Sequence, residues 1–219
     1  MESKIGFKPA RSAGDKPPRR RATPEERQQA ILEAALDVFS EHGFAAARLD
    51  DVASRAGIAK GTLYLYFPDK ETLFEHMLQS VAAPALALLG RLAEADTVPP
   101  AAAIGALLTF FEKEVIGTPR EKVIRLIVSE GQRFPRLARF YYDEVISKGL
   151  AAIRAIAARE THGSFNAEAI SRFPQLIFAP LLMSIVWRSM FQQFEPLDVS
   201  GLIAAHKDIL LQSHGERDP

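Results

Sequence analysis

The sequence predicts an all-α fold, and three observations carry that prediction. Apolar residues recur at three- and four-residue spacing, cap-and-proline signals open those stretches, and no sustained two-residue alternation occurs along the 219 residues. The texture also divides the chain into a basic segment over 1–22, short helices over 23–80, and a larger helical region over 81–219, rich in Ala and Leu.

The helices follow in order. Thr23-Pro24-Glu25-Glu26 offers a capping hydroxyl, a proline at the first helical position and a capping-box glutamate. Ile31, Ala34, Ala35, Val38 and Phe39 then make one apolar stripe, and Gly43 ends the helix. A second helix buries Leu49, Val52, Ala53 and Ala56, and closes at Gly57. A third runs from about Lys60 to Tyr66 with Leu63 and Phe67 inward, and Pro68 stops it. A fourth starts near Asp69 and buries Leu73, Phe74, Met77, Leu78 and Val81. Beyond Ala82, helices are expected over 101–116, 119–131, 135–160, 167–194 and 199–213. Thr118-Pro119-Arg120-Glu121 repeats the first cap, Asp198 caps the last helix, and Pro174 and Pro180 kink the one that holds them.

Composition narrows the function classes. At 47% hydrophobic residues the chain can bury a substantial core, and with no cysteine it can form neither a disulfide nor a thiolate metal site. The start lacks a secretory pattern, and apolar segments such as Leu176 to Val186 are too short to cross a bilayer, so a cytoplasmic protein without a membrane partner is expected. His42, His76, His162, His206 and His214 are scattered, and no phosphate loop or nucleophile motif occurs. An enzyme is therefore not expected, nor is a metal or cofactor. The 27 basic and 27 acidic residues balance, which argues against a diffuse attraction to polyanions. The distribution is uneven, however. Residues 1–22 hold seven basic residues against Glu2 and Asp15 and read as a disordered basic arm.

Residues 49–67 have the spacing of a helix-turn-helix. Two short helices that cross steeply need a small residue at the contact and a glycine at the turn, and Ala53 and Gly57 stand there. Ile58 and Leu63 supply the apolar contacts. The same spacing suits an ordinary helical hairpin, so the polar residues decide. The outer face of the second helix shows Lys60, Gly61, Thr62 and Tyr64: a cation, a close backbone approach, a hydroxyl and an aromatic ring, a set that suits a major groove. Tyr66 and Lys70 stand where flanking phosphates would pass.

Gly-Ile-Ala-Lys-Gly-Thr-Leu-Tyr-Leu-Tyr-Phe-Pro-Asp-Lys-Glu, residues 57–71, resembles the signature of the TetR/AcrR family of bacterial transcriptional regulators, and the likeness extends over about residues 24–80. The resemblance implies a three-helix DNA-binding domain, a variable helical regulatory domain and a homodimer formed by the last two helices. It also implies a sequence-specific regulator, a repressor by analogy, on a palindromic double-stranded DNA operator. Lys60, Gly61, Thr62 and Tyr64 would approach bases and nearby phosphates, and Tyr66 and Lys70 would grip phosphate. Two positions depart from the family pattern. Ala59 stands where serine is usual, which removes a capping hydroxyl. Arg48 stands near the usual threonine, where it either reaches phosphate or is a solvated loop residue. Residues 23–80 carry only Arg27, Arg48, Arg55, Lys60 and Lys70 against ten acidic residues, so the cations must be concentrated on the DNA face, with help from the arm.

The aromatics of 81–219 read first as core. The resemblance adds a second reading, in which some line a pocket for a small apolar effector. Phe110, Phe111, Phe140, Tyr141, Phe178 and Trp187 are the candidates, with Arg125 and Gln175 as polar partners. Phe173, Ile177, Leu181, Ile185, Leu202, Ile209 and Leu210 are the candidates for the dimer contact.

Overall fold

The computed structural model describes residues 23–211, and every regular element in that range is helical. The basic arm over 1–22 lies outside the described residues. Helix α1, Pro24–Ala46, opens on the expected capping box: the Thr23 hydroxyl accepts from the Glu26 N–H at 3.1 Å, and the Thr23 N–H donates to the Glu26 carboxylate at 2.8 Å. Its regular turn breaks at Gly43, whose φ of 73° a side chain would resist, so the last residues leave in a new direction. Helices α2, Leu49–Arg55, and α3, Lys60–Tyr66, stand where the sequence puts them.

Helix α4, Lys70–Glu94, begins at an Asp69 cap whose carboxylate accepts from the Thr72 N–H at 2.7 Å. It has 25 residues, about 37 Å of rod at 1.5 Å per residue. The domain boundary expected at 80/81 falls inside it, and Pro84 is accommodated without ending it. One helix therefore serves two cores. Leu73, Phe74, Met77 and Leu78 lie in the first core and Leu89 in the second. By length and composition α4 is apolar enough to cross a membrane, but these residues are buried against protein.

Helix α5, Pro100–Phe110, widens into a π turn over Phe111–Val115. Helix α6, Pro119–Glu130, follows from its Thr118 cap. Helix α7, Pro135–Tyr141, a second π turn over Tyr142–Ile146, and α8, Ser147–Ala158, run on as the single stretch expected over 135–160. The expected helix over 167–194 is instead two, α9, Ala167–Arg172, and α10, Gln175–Met190. Phe173 precedes a proline and sits at φ −128°, ψ 66°, outside the helical region, so Pro174 breaks the helix rather than kinking it. Pro180 stays within α10, where its carbonyl accepts from the Ser184 hydroxyl at 2.7 Å. Helix α11, Val199–Leu211, starts beside Asp198, whose carboxylate accepts from the Gly201 N–H at 2.9 Å.

The first core is not confined to the N-terminal helices. Val123 and Leu126 of α6 and Leu137 of α7 are buried in it with Phe39 and Phe74, and Lys122 of α6 pairs with Asp37 of α1 at 2.8 Å. The N-terminal helices and the helices beyond α4 thus share packing as well as a helix.

Candidate DNA-reading surface and effector cavity

The turn between α2 and α3 is built by backbone bonds. Gly57 adopts φ 68°, its N–H donates to the Ser54 carbonyl at 3.2 Å, and the Ile58 N–H reaches the Ala53 carbonyl at 3.0 Å, the paired bonds of a Schellman motif. Ala53 is buried where α3 crosses, and Leu63 and Phe67 are fully buried beneath it. With those residues inward, α3 turns Lys60, Gly61, Tyr64 and Leu65 outward. Tyr64 is 44% exposed and Leu65 85% exposed. Leu65 was missed as a surface residue, because its apolar side chain in a short helix signals core. Thr62 is half-buried at the edge of this face, and Ala59 provides no side-chain cap.

The cations are distributed differently from the expectation. Lys60 is exposed and paired with Asp50 of α2 at 2.7 Å, and the hydrogen bond it donates to that carboxylate raises its pKa. The pair lies at the surface, where such contacts are weak and exchangeable. Arg48 is exposed immediately before α2. Arg55 is engaged by both oxygens of Glu41, at 2.6 and 2.7 Å.

Lys70 has another occupation than phosphate. Its ammonium donates to the carbonyls of Phe44, Ala45 and Ala47 at 2.8, 3.0 and 3.2 Å and lies 4.8 Å from the centre of the Phe44 ring. An ammonium has three N–H donors, so this set saturates it. It ties the end of α1 to the start of α4. Tyr66 is half-buried against the first core, its ring 6.4 Å from that of Phe67, and so belongs more to the support than to the outward face.

A cavity of about 190 Å³ lies between α4, α6, α8 and α10. Of the expected pocket residues it gathers Phe111, Tyr141, Gln175 and Phe178. The other four are elsewhere. Phe110 packs beside Phe111 and under the Arg120 guanidinium, and Phe140 packs on the first core. Arg125 is exposed in an open groove by α1. Trp187 stacks edge-on with Phe191 and donates its indole N–H to the Glu195 carbonyl at 2.8 Å. Both π turns face the cavity, the first through Phe111 and Val115 and the second through Val145 and Ile146. Such turns are rare and concentrate at functional sites. Helix α4 contributes Val81, Ala82, Ala85, Leu86 and Leu89, so the helix that carries the reading head also walls the cavity. Burial pushes the Tyr141 phenol up to about 12, which keeps it a neutral donor. Arg120, missed because it reads as part of a helix start, is charged and also lines the cavity.

The dimer candidates divide. Ile177, Leu181 and Ile185 are core residues facing inward, so they cannot form a contact with a second copy. The outward face of α10 carries Leu176, Met183 and Met190 at seven-residue spacing, with Phe173 exposed before it and Phe194 after it. Ile209 of α11 is 74% exposed, while Leu202 and Leu210 are half-buried. The two helices meet where His206 contacts the Leu176 carbonyl at 2.9 Å, and burial lowers the imidazole pKa.

Two short helices crossing over a glycine turn, with a polar outward face on the second and an apolar core behind it, define a helix-turn-helix unit. Residues 31–77 match the model for bacterial regulatory proteins of the tetR family. The HTH-type transcriptional regulator RutR of Escherichia coli K12 is 32% identical over 121 residues, 55% of this chain and 49% of the relative. The chain thus matches about half the length of that curated relative. Among solved structures, the fatty acid degradation regulator FadR from Bacillus halodurans superposes with a TM-score of 0.65 at 21% identity, covering 90% of this chain and 100% of that one. A TetR-family protein from Mesorhizobium loti gives 0.64 at 21% identity, covering 86% and 95%. At these identities the likeness is one of fold. The relatives and the family are transcriptional regulators rather than enzymes.

Proposed function

We propose that this protein binds a palindromic or near-palindromic duplex operator as a homodimer and represses transcription until a small apolar effector enters the cavity. The observation that carries the reading is the outward face of α3, where Lys60, Gly61 and Tyr64 are presented after the hydrogen-bonded Gly57 turn and over the buried Leu63 and Phe67. This set matches the donor and contact requirements of base edges and flanking phosphates. Arg48 and Thr62 stand at its margins.

Two-fold pairing follows from the unpartnered apolar stripe on α10 together with Ile209 of α11. A dimer on that stripe would present two copies of α3 to one duplex, which is why the operator should be two-fold symmetric. The effector acts through α4. A ligand that prefers one position of that helix shifts the population of reading-head spacings, and it does so only as far as its affinities for the two states differ.

The test is binding of the purified full chain to its own promoter region, mapped to base-pair resolution. Two protected half-sites centred about 34–36 Å apart, or a multiple of that, are expected. Salt-independent binding, or protection of a single asymmetric half-site by a monomer, would refute it.

A further inference from the structure

Arg120 is the one charged residue that lines the cavity among the described residues. Its Nη1 donates to the Glu114 carbonyl at 2.8 Å and stands 3.7 Å from the Glu114 carboxylate, and its Cζ lies 5.8 Å from the centre of the Phe110 ring. Those contacts hold the guanidinium plane in place. Its Nε, fully buried, has no hydrogen-bond partner. Glu114 is mostly exposed, so solvent screens that countercharge. Held on one side by Glu114 and Phe110, the guanidinium plane has the geometry that a carboxylate fits.

Position narrows the ligand further. Arg120 and Val81 line both this cavity and a second cleft between α1, α4 and α6, so the cation stands where the two adjoin. Behind it the wall is apolar except for Gln175 and Tyr141. The volume is about 190 Å³, and a dry apolar cavity of about 150 Å³ accepts benzene. The interior therefore has room for a single ring or a short acyl chain.

We propose that the cavity takes a small apolar monocarboxylate, its ring or short chain inside and its carboxylate against the Arg120 guanidinium. This rests on the reading of the cavity as the effector site. A neutral ligand of the same shape leaves the charge unanswered, and a cationic one meets repulsion at the mouth.

Calorimetric titration of the full chain with hexanoate, 1-hexanol and hexylammonium, without DNA and at one pH and salt concentration, tests it. Hexanoate is expected to bind at least about tenfold more tightly than hexanol, the size of a charge-assisted hydrogen bond, with hexylammonium weakest. Arg120→Met should bring hexanoate to the level of hexanol and leave hexanol unchanged. Equal binding of the acid and the alcohol by the unaltered chain, no binding of the acid, or an undiminished acid affinity in Arg120→Met overturns the proposal. The comparison of probes on the unaltered chain decides the matter even if the variant does not fold. Operator release is measured separately. Arg120-dependent binding of hexanoate that leaves the operator bound supports the site but strikes the effector reading. Release by hexanol without any preference for the acid does the reverse.

Discussion

The two ends of α4 differ in how completely their chemistry is satisfied. At the N-terminal end Asp69 caps the helix and Lys70 spends all three donors on carbonyls of the α1 terminus, so the joint to the reading head is saturated. Further along, from Val81 to Leu89, the same helix faces an apolar void flanked by two π turns and one unsatisfied arginine nitrogen. The proposed function would draw on this combination: a tight joint would transmit a movement of α4, and a loosely filled wall would answer a ligand.

Breaking the joint should have the largest effect. Lys70→Met strips three carbonyls of a charged donor, and a loss of about 3 kcal/mol in stability is expected, read by urea unfolding. A loss below about 1 kcal/mol would return Lys70 to the phosphate-binding set. Tyr64→Ala separates reading from support, since the ring is 44% exposed and absent from the buried core. Operator affinity should fall by about 2 kcal/mol, roughly thirtyfold, with the helical circular dichroism unchanged. If the variant binds normally, the reading face lies elsewhere. The smallest change sharpens the other end. A Cβ at Gly149 would meet Phe178 at 3.5 Å and Leu89 at 3.7 Å, ordinary contacts, inside helix α8. Gly149→Ala should therefore raise the midpoint of thermal unfolding, by about 0.5–1 kcal/mol in stability. A lowered midpoint would show that the cavity wall is already strained.

What the sequence discloses differs between the same two regions. The reading head is local: the Thr23 box, the Gly57 turn, the Pro68 stop and the Asp69 cap act within a few residues, so its helices are found nearly at their observed bounds. The cavity is assembled from distant segments, and periodicity does not say which side of an almost wholly apolar helix turns inward. Hence Ile177, Leu181 and Ile185 go to the core while Leu176, Met183 and Met190 of the same helix face out. Phe110, Phe140 and Trp187 have the same ambiguity. Ion pairs such as Lys60 with Asp50, ten positions apart, depend on the angle between two helices, which no spacing records. The uninterrupted course of α4 past Pro84 was hidden for a related reason, since tertiary packing overrides the local penalty of a proline.

The π turns at Phe111–Val115 and Tyr142–Ile146 carry a consequence for how such a chain tolerates changes in length. A π turn holds one residue more than the α-helical turn it replaces, and each residue advances a helix by about 100°. Deleting a single residue within either turn can restore ordinary helical winding without rotating what lies beyond it, whereas the same deletion in α6 would turn every later side chain of that helix away from its neighbours. The two turns are thus the places where the chain can shorten by one position and keep its register. What it would lose there is the widened backbone beside the cavity, so length variation at these points would retune the ligand space while the reading head stayed as it is.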